Sequence, residues 1–352
     1  MPRHAEVAEH FAVIRSIKHN LAVHDDGTHW LQTGWPLLNA RQAGQRNPAQ
    51  GSVISALVGS RAAGMPPYVA IPEDYRRHMG FYEGPAFLSS RYAALDAGGD
   101  PSLGNYRPPD FRLPADVIMS RLEDRRGLLR EFDQLSRRKE VEPQFAALDD
   151  VQREALELVT GSAARQAFDL TAESTSMKDR YGRNGYGQGA LLARRLIEAG
   201  VTFVVVNLYE KDIDWWDDHY TIEKNLRKRL PVFDQAFATL IQDLRDRGLL
   251  ESTLVAAFGE FGRAPRVDLH TGRGHWPGAM SAVLAGGGIR GGQVIGSTVA
   301  NGGEPKDRPL GPGDLLASIY RAVGVDHQAT VRDRQQRPVP ILESGEPIAE
   351  LF

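Results

Sequence analysis

The chain has 352 residues, with 42 Lys and Arg against 45 Asp and Glu and a formal net charge of -3, a balance that excludes the large basic excess of a general nucleic-acid or membrane-surface binder. Hydrophobic residues make up 41% and charged residues 25%, ordinary globular values, and the length suits one large α/β domain or two of modest size. Cysteine is absent, which removes disulfides, thiolate zinc sites, iron–sulfur clusters and a cysteine nucleophile.

The N-terminus, MPRHAEVAEHFAVIRS, lacks the apolar core of about 7–15 residues and the small-residue cleavage site of a signal peptide. No stretch approaches the roughly 18 apolar residues of a membrane span. As written, the chain is expected in the cytoplasm. The segment HNLAVHDDGTHWLQTGW follows and gathers His19, His24, Asp25, Asp26, Thr28 and His29. The Thr28 hydroxyl is a candidate nucleophile, because a Thr or Ser needs activation by a base or a metal and this segment holds candidates for the base and for metal ligands. The competing reading is a His-rich surface loop. PPYVAIP, from Pro66 to Pro72, reads as a short buried strand bracketed by prolines. From about residue 76 to 180 the character changes. Pro, Gly, Ser and Tyr dominate as far as Pro114. A charged helix is then expected over Val117–Arg138, with Ile118, Leu122, Leu128, Leu129 and Phe132 as its apolar positions. The stretch reads as a surface insertion or lid.

Beyond about residue 185 the pattern is α/β. A helix over Gly189–Ala199 stops at Gly200. The β-branched run Val201–Leu208 predicts a strand buried on both faces. Apolar residues three or four apart, from Leu226 to Leu244, predict a helix over about Asn225–Arg247, closed by Gly248. Strands are expected over Ser252–Glu260 and Ser281–Gly288, and a last helix over Gly313–Val323 behind Pro312. Such alternation implies a mainly parallel sheet with helices on both faces. Ligands of such sheets sit outside the carboxyl ends of strands, which directs attention to the loops after Leu208 and Phe258. The Gly-rich runs carry less: GGGIRGG reads as a tight turn, and RYGRNGYGQG as a helix cap.

Two loops and one late motif bear chemistry. DIDWWDDHY places Asp212, Asp214, Asp217, Asp218 and His219 together, and carboxylates beside imidazole suit Zn²⁺ or Mn²⁺. The alternative is a solvated acidic loop, and any of Asp214, Asp217 and Asp218 could be the acidic ligand. In GEFGRAPR, Glu260 lies just past a strand end, where a ligand or a general acid/base belongs, or where it pairs with Arg263 or Arg266. In GRGHWPG, the flanking glycines leave His275 free to bend toward a shared site.

WDDH, GEFGRAPR, GRGHWP, LAGGGIRGGQVIG and DRPLGPGDLLASIYRAVGVD, in this order and spacing, resemble the domain-of-unknown-function 1501 family (DUF1501), a bacterial, sulfatase-like branch of the alkaline phosphatase superfamily. FAVIRSIKHN, the TGW segment, GSVISALVG, PPYVAIP and RYGRNGYGQGALLARRLIEAG extend the likeness over nearly the whole chain. The resemblance implies an α/β fold with a doubly wound, mainly parallel sheet flanked by helices, alkaline phosphatase/sulfatase-like. It implies one domain, with its core at about 1–75 and 185–330 and an insertion at about 76–180. It further implies hydrolysis of a small-molecule or glycan sulfate or phosphate ester, and one or two divalent ions, Zn or Mn, with Ca as a further option. Asp217, His219 and His275 would bind one ion and Glu260 would serve a second. His24 to Thr28 corresponds to the nucleophile loop, with His24 or Thr28 at the catalytic position. Two features depart from the superfamily pattern. Phe261 stands where phosphatases carry a ligating His, and neither His24 nor Thr28 is the Cys or Ser that sulfatases modify. Family members also begin with an export signal and a central strand ending in a metal-binding loop, and nothing before Phe11 resembles these. A true start upstream with a signal peptide would make the protein periplasmic or exported. The competing expectations are a non-catalytic metal- or ligand-binding member of the same fold, or a truncated inactive copy.

Overall fold

A computed structural model describes residues 1–37, 45–71, 82–111, 157–158, 161–208 and 216–352. The helix expected over Val117–Arg138 lies outside these residues, as do Asp212 and Asp214 of the acidic loop. The chain begins with helix α1 (Pro2–Glu6) and strand β1 (Phe11–Ile17). Helices α2 (His24–Thr33) and α3 (Gln50–Leu57) follow, then strands β2 (Tyr68–Ile71) and β3 (Leu95–Asp96). Helix α4 (Gly185–Glu198), strand β4 (Phe203–Val206) and the long helix α5 (Ile222–Asp246) form the next unit. Strand β5 (Val255–Phe258) leads into the short pair β6 (Gly262–Arg263) and β7 (His275–Trp276), and then β8 (Met280–Ala285), β9 (Gln293–Ile295) and helix α6 (Pro312–Ala322).

The expected α/β class and a parallel sheet are both present. Strands β3, β2 and β4 form a three-stranded sheet in that order, and both of its pairings are parallel. A four-stranded sheet of order β5-β8-β1-β9 is mixed: β1 runs parallel to β9, while β8 runs antiparallel to both β1 and β5. The reason is connectivity. A parallel neighbour needs a crossover, usually a helix, and between β5 and β8 the chain forms only the β6–β7 hairpin. β1 occupies an inner position, with Ala12, Ile14 and Ile17 fully buried.

Each sheet owns a core. Ile14, Ile17 and Leu284 pack with Leu315, Leu316 and Tyr320 of α6 on the four-stranded sheet. Val69 and Ile71 pack with Leu191, Leu192 and Leu196 of α4 on the other. The glycine stops read from the sequence are where they were expected, whereas α4 starts at Gly185, ahead of the expected start at Gly189. Asn184 caps α4, its side chain accepting from the Gly187 N–H at 2.9 Å. Gly200 (φ 103°) and Gly248 (φ 70°) follow α4 and α5 in backbone conformations that favour glycine. α1 is pinned to α5 by Asp234, whose carboxylate accepts from the backbone N–H groups of Arg3 and His4 and lies 2.6 Å from His4 Nδ1. Among the described residues no helix is long and apolar enough to cross a membrane.

Candidate metal centre

Three stretches far apart in the chain, around His24, Asp217 and Glu260 to His275, meet beyond the carboxyl end of β5. His24 opens α2, whose first turn also carries Asp25 and Asp26, acids that suit the positive end of a helix. Gly27 lets that turn lie against the residues after β5. A Cβ there would stand 3.1 Å from Phe261 Cδ1 and 3.3 Å from the Glu260 carbonyl oxygen. The β6–β7 hairpin returns His275 opposite Arg263. The segment before α5 is oriented by Asp218, which is buried and accepts from Arg229 and, at 2.8 Å, from Asn225 Nδ2. Its carbonyl oxygen accepts from the Arg273 N–H at 2.9 Å. With Asp218 turned toward α5, its neighbours Asp217 and His219 face the other segments.

Asp217 is the hub. His219 Nε2 and His275 Nε2 each lie 3.0 Å from its Oδ1, and His24 Nε2 lies 3.1 Å from its Oδ2. The two nitrogens of His219 and His275 are themselves 3.0 Å apart. The Arg263 guanidinium reaches Asp217 Oδ1 at 2.5 Å. The far sides of two imidazoles are already occupied: His24 Nδ1 lies 2.6 Å from Glu260 Oε1, and His275 Nδ1 lies 2.7 Å from the Ala22 carbonyl oxygen. Phe261, buried, closes one side, its ring centroid 4.5 Å from that of His275 and 5.1 Å from that of His24.

Charge in the cluster is balanced by hydrogen bonding. Burial disfavours the Asp217 carboxylate, but hydrogen bonds from Arg263 and His24 outweigh it and hold its pKa far below the usual carboxylate range. The hydrogen bond to Glu260, working against burial and aided by Asp217, raises the pKa of His24 above 6.5. The donor set suits a divalent metal ion. His24, Asp217 and His275 each offer a ligand atom, all within 4.8 Å of one another. An acceptor on Nδ1 fixes the ring and directs Nε2 inward, the arrangement of ligating histidines. Imidazole with carboxylate is the chemistry of zinc and its neighbours.

Five of the six residues singled out from the sequence therefore stand together: His24, Asp217, His219, Glu260 and His275. Thr28 lies one turn after His24 on α2, and among the described residues no hydrogen bond links its hydroxyl to the cluster. Glu260 does not pair with Arg263; it holds His24, and its own carbonyl oxygen lies 2.8 Å from His19 Nε2. The described residues gather one group of three potential ligands, not two. Arg263 is the site residue that sequence reading undervalued. Its signal was the GEFGR spacing, which puts a cation on a two-residue strand opposite His275 once the hairpin register is known.

A family model described as "Protein of unknown function (DUF1501)" matches residues 1–352. No curated protein matches the chain. Among solved structures it is similar to the PsFucS1 sulfatase from Pseudoalteromonas sp., with 12% sequence identity, 92% of this chain and 62% of that chain covered, and a TM-score of 0.39. It is also similar to the phosphonate monoester hydrolase SpPMH from Silicibacter pomeroyi, with 12% identity, 99% of this chain and 71% of that chain covered, and a TM-score of 0.37. The chain thus spans 62% of the length of the first of these.

Proposed function

The chain belongs to the DUF1501 family, and from the geometry of the cluster we propose that it is a metal-dependent hydrolase of sulfate or phosphate esters. The observation that carries this reading is the convergence of three imidazole Nε2 atoms on the Asp217 carboxylate. His24, Asp217, His219 and His275 would hold one divalent ion, Zn²⁺ or Mn²⁺. When bound, the ion supplies Lewis-acid stabilisation of charge developing on an ester oxygen.

The chain's own residues do the rest. Glu260 keeps the Nδ1 proton of His24 in place, so that Nε2 is the ligating atom. Arg263 stands beside Asp217 as a guanidinium that can hold an anionic ester group through paired hydrogen bonds. Phe261 keeps water from that side. One observation favours a non-catalytic, metal-binding role instead: among the described residues, no hydroxyl is hydrogen-bonded into the cluster. The two readings part on experiment. Metal content and turnover of aryl sulfate and aryl phosphate esters are measured on the purified protein. Bound metal with turnover supports the hydrolase; bound metal without turnover supports the binding protein. Asp217→Ala and His275→Ala should each lower metal content, and full metal retention in both variants would refute the site.

A further inference from the structure

An open cleft of about 840 Å³ adjoins the cluster, between α5 and the β6–β7 hairpin. Its volume falls within the range of small-molecule sites. One wall, on α5, presents Ile222, Leu226, Leu230 and Pro231, with the Glu223–Arg227 ion pair beside them. The other carries Arg263, the same guanidinium that touches Asp217, and Arg273.

The charges around the cleft are mostly spent on each other. Asp218 is taken by Arg229 and Asn225, and Glu223 pairs with Arg227 at 2.7 Å. Trp216 offers no free indole N–H: Nε1 donates to the Tyr186 hydroxyl at 2.9 Å, and Arg229 lies 5.1 Å from the ring centroid. Arg273 makes no ion pair among the described residues, its Nη1 donating only to the Ala264 carbonyl oxygen at 3.0 Å. What remains is the Arg273 guanidinium, with Arg263 shared with Asp217 beside it, and hydrocarbon along α5. A sugar brought against that wall would find no hydrogen-bonding side chain in Ile222, Leu226, Leu230 or Pro231. A flat or aliphatic hydrocarbon would instead lose only unfavourable contact with water.

We propose that this cleft selects esters whose organic group is apolar, aryl or alkyl, with the anionic head against Arg263 and the hydrocarbon against Leu226 and its neighbours. The inference rests on the hydrolase reading for its anionic head group and names the substrate class of that site.

The test uses inert probes that share one head group. Methylphosphonate, phenylphosphonate and a glucose-derived phosphonate are titrated calorimetrically into the metal-loaded protein. Phenylphosphonate should bind about tenfold more tightly than methylphosphonate, roughly what two buried methylenes supply, and the glucose compound no better than methylphosphonate. Leu226→Asp should erase the phenyl advantage with metal content unchanged; Leu226→Ala, the milder change, should reduce it about threefold. A glucose compound that outbinds phenylphosphonate, or a phenyl advantage that survives Leu226→Asp, overturns the inference alone. A protein that takes up no metal and binds none of the three overturns the hydrolase reading and this inference together.

Discussion

Glu260→Gln separates an orienting carboxylate from a metal ligand. Glu260 Oε1 lies 2.6 Å from His24 Nδ1, with both side chains less than a third exposed, at 26% and 28%. That length is at the short end for a charge-assisted N–H···O hydrogen bond, usually about 2.7–2.9 Å. Glutamine keeps an oxygen acceptor at the same reach but removes the charge, so the imidazole stays oriented and becomes a weaker donor to metal. Losing such an outer partner costs about 10–100-fold in metal affinity, or about 1.4–2.7 kcal/mol. Asp217→Asn should cost more, since the hub that all three imidazoles approach loses its charge. Affinity is read by titrating Zn²⁺ or Mn²⁺ into apo-protein against a chromophoric chelator, with stoichiometry from elemental analysis. The expected result for Glu260→Gln is unchanged stoichiometry with weakened affinity. A drop in the number of ions bound would make Glu260 a ligand, as the family resemblance implied, and unchanged affinity would deny it either task.

Three further outcomes follow from the same geometry. Arg229→Met leaves the buried Asp218 carboxylate without its guanidinium; breaking a buried pair costs about 3–5 kcal/mol, so the melting temperature should fall sharply, and Arg229→Met with Asp218→Leu should restore most of it. Both side chains are buried, at 0% and 3% exposure, and a melting point unmoved by Arg229→Met would show that the pair does not hold the segment. Arg263→Gln removes a cation that competes for Asp217, so metal should bind more tightly while methylphosphonate binds more weakly; loss of both affinities would make Arg263 merely structural. Metal-free protein should lose stability as the pH falls below about 6.5, because burial lowers the pKa values of His4, His19 and His29 and the unfolded chain then binds more protons than the folded one. His24 acts in the opposite sense: its pKa is raised by Glu260, so its contribution is complete below 6.5 and is lost as the pH rises through the raised value. Three against one, the net slope should be positive between pH 5 and about 6.5, and a flat or inverted denaturation midpoint across that interval would contradict the assignment.

What the sequence disclosed was local. The run FVVV and the three-to-four spacing along α5 are patterns a few residues long, and β4 and α5 formed where those patterns lie. What it withheld was pairing. Val13 and Ile14 stand opposite Val283 and Ala282 across two distant parts of the chain, and no periodicity in FAVIRSI announces an inner position between β8 and β9. The mixed pairing of the four-stranded sheet escaped for a related reason: strand after strand suggests crossovers until the intervening loop proves to be a hairpin.

The candidate site divides along the same line. Residue types and motif spacing sufficed to nominate His24, Asp217, His219, Glu260 and His275, because few side chains can ligate a cation. They did not assign tasks. Adjacent Asp217 and Asp218 are chemically identical, and they are told apart by Arg229, one helix later, which draws Asp218 inward and leaves Asp217 as the hub. Glu260 and His24 are likewise distinguished by contact alone. A carboxylate on Nδ1 cannot be read from spacing when its histidine lies on another element, yet that contact decides which nitrogen faces the centre and which acid stands behind it. Ligand identity is therefore legible in composition, whereas ligand order is a property of packing: the Gly27 turn of α2 must lie on Phe261 before His24 can meet either carboxylate.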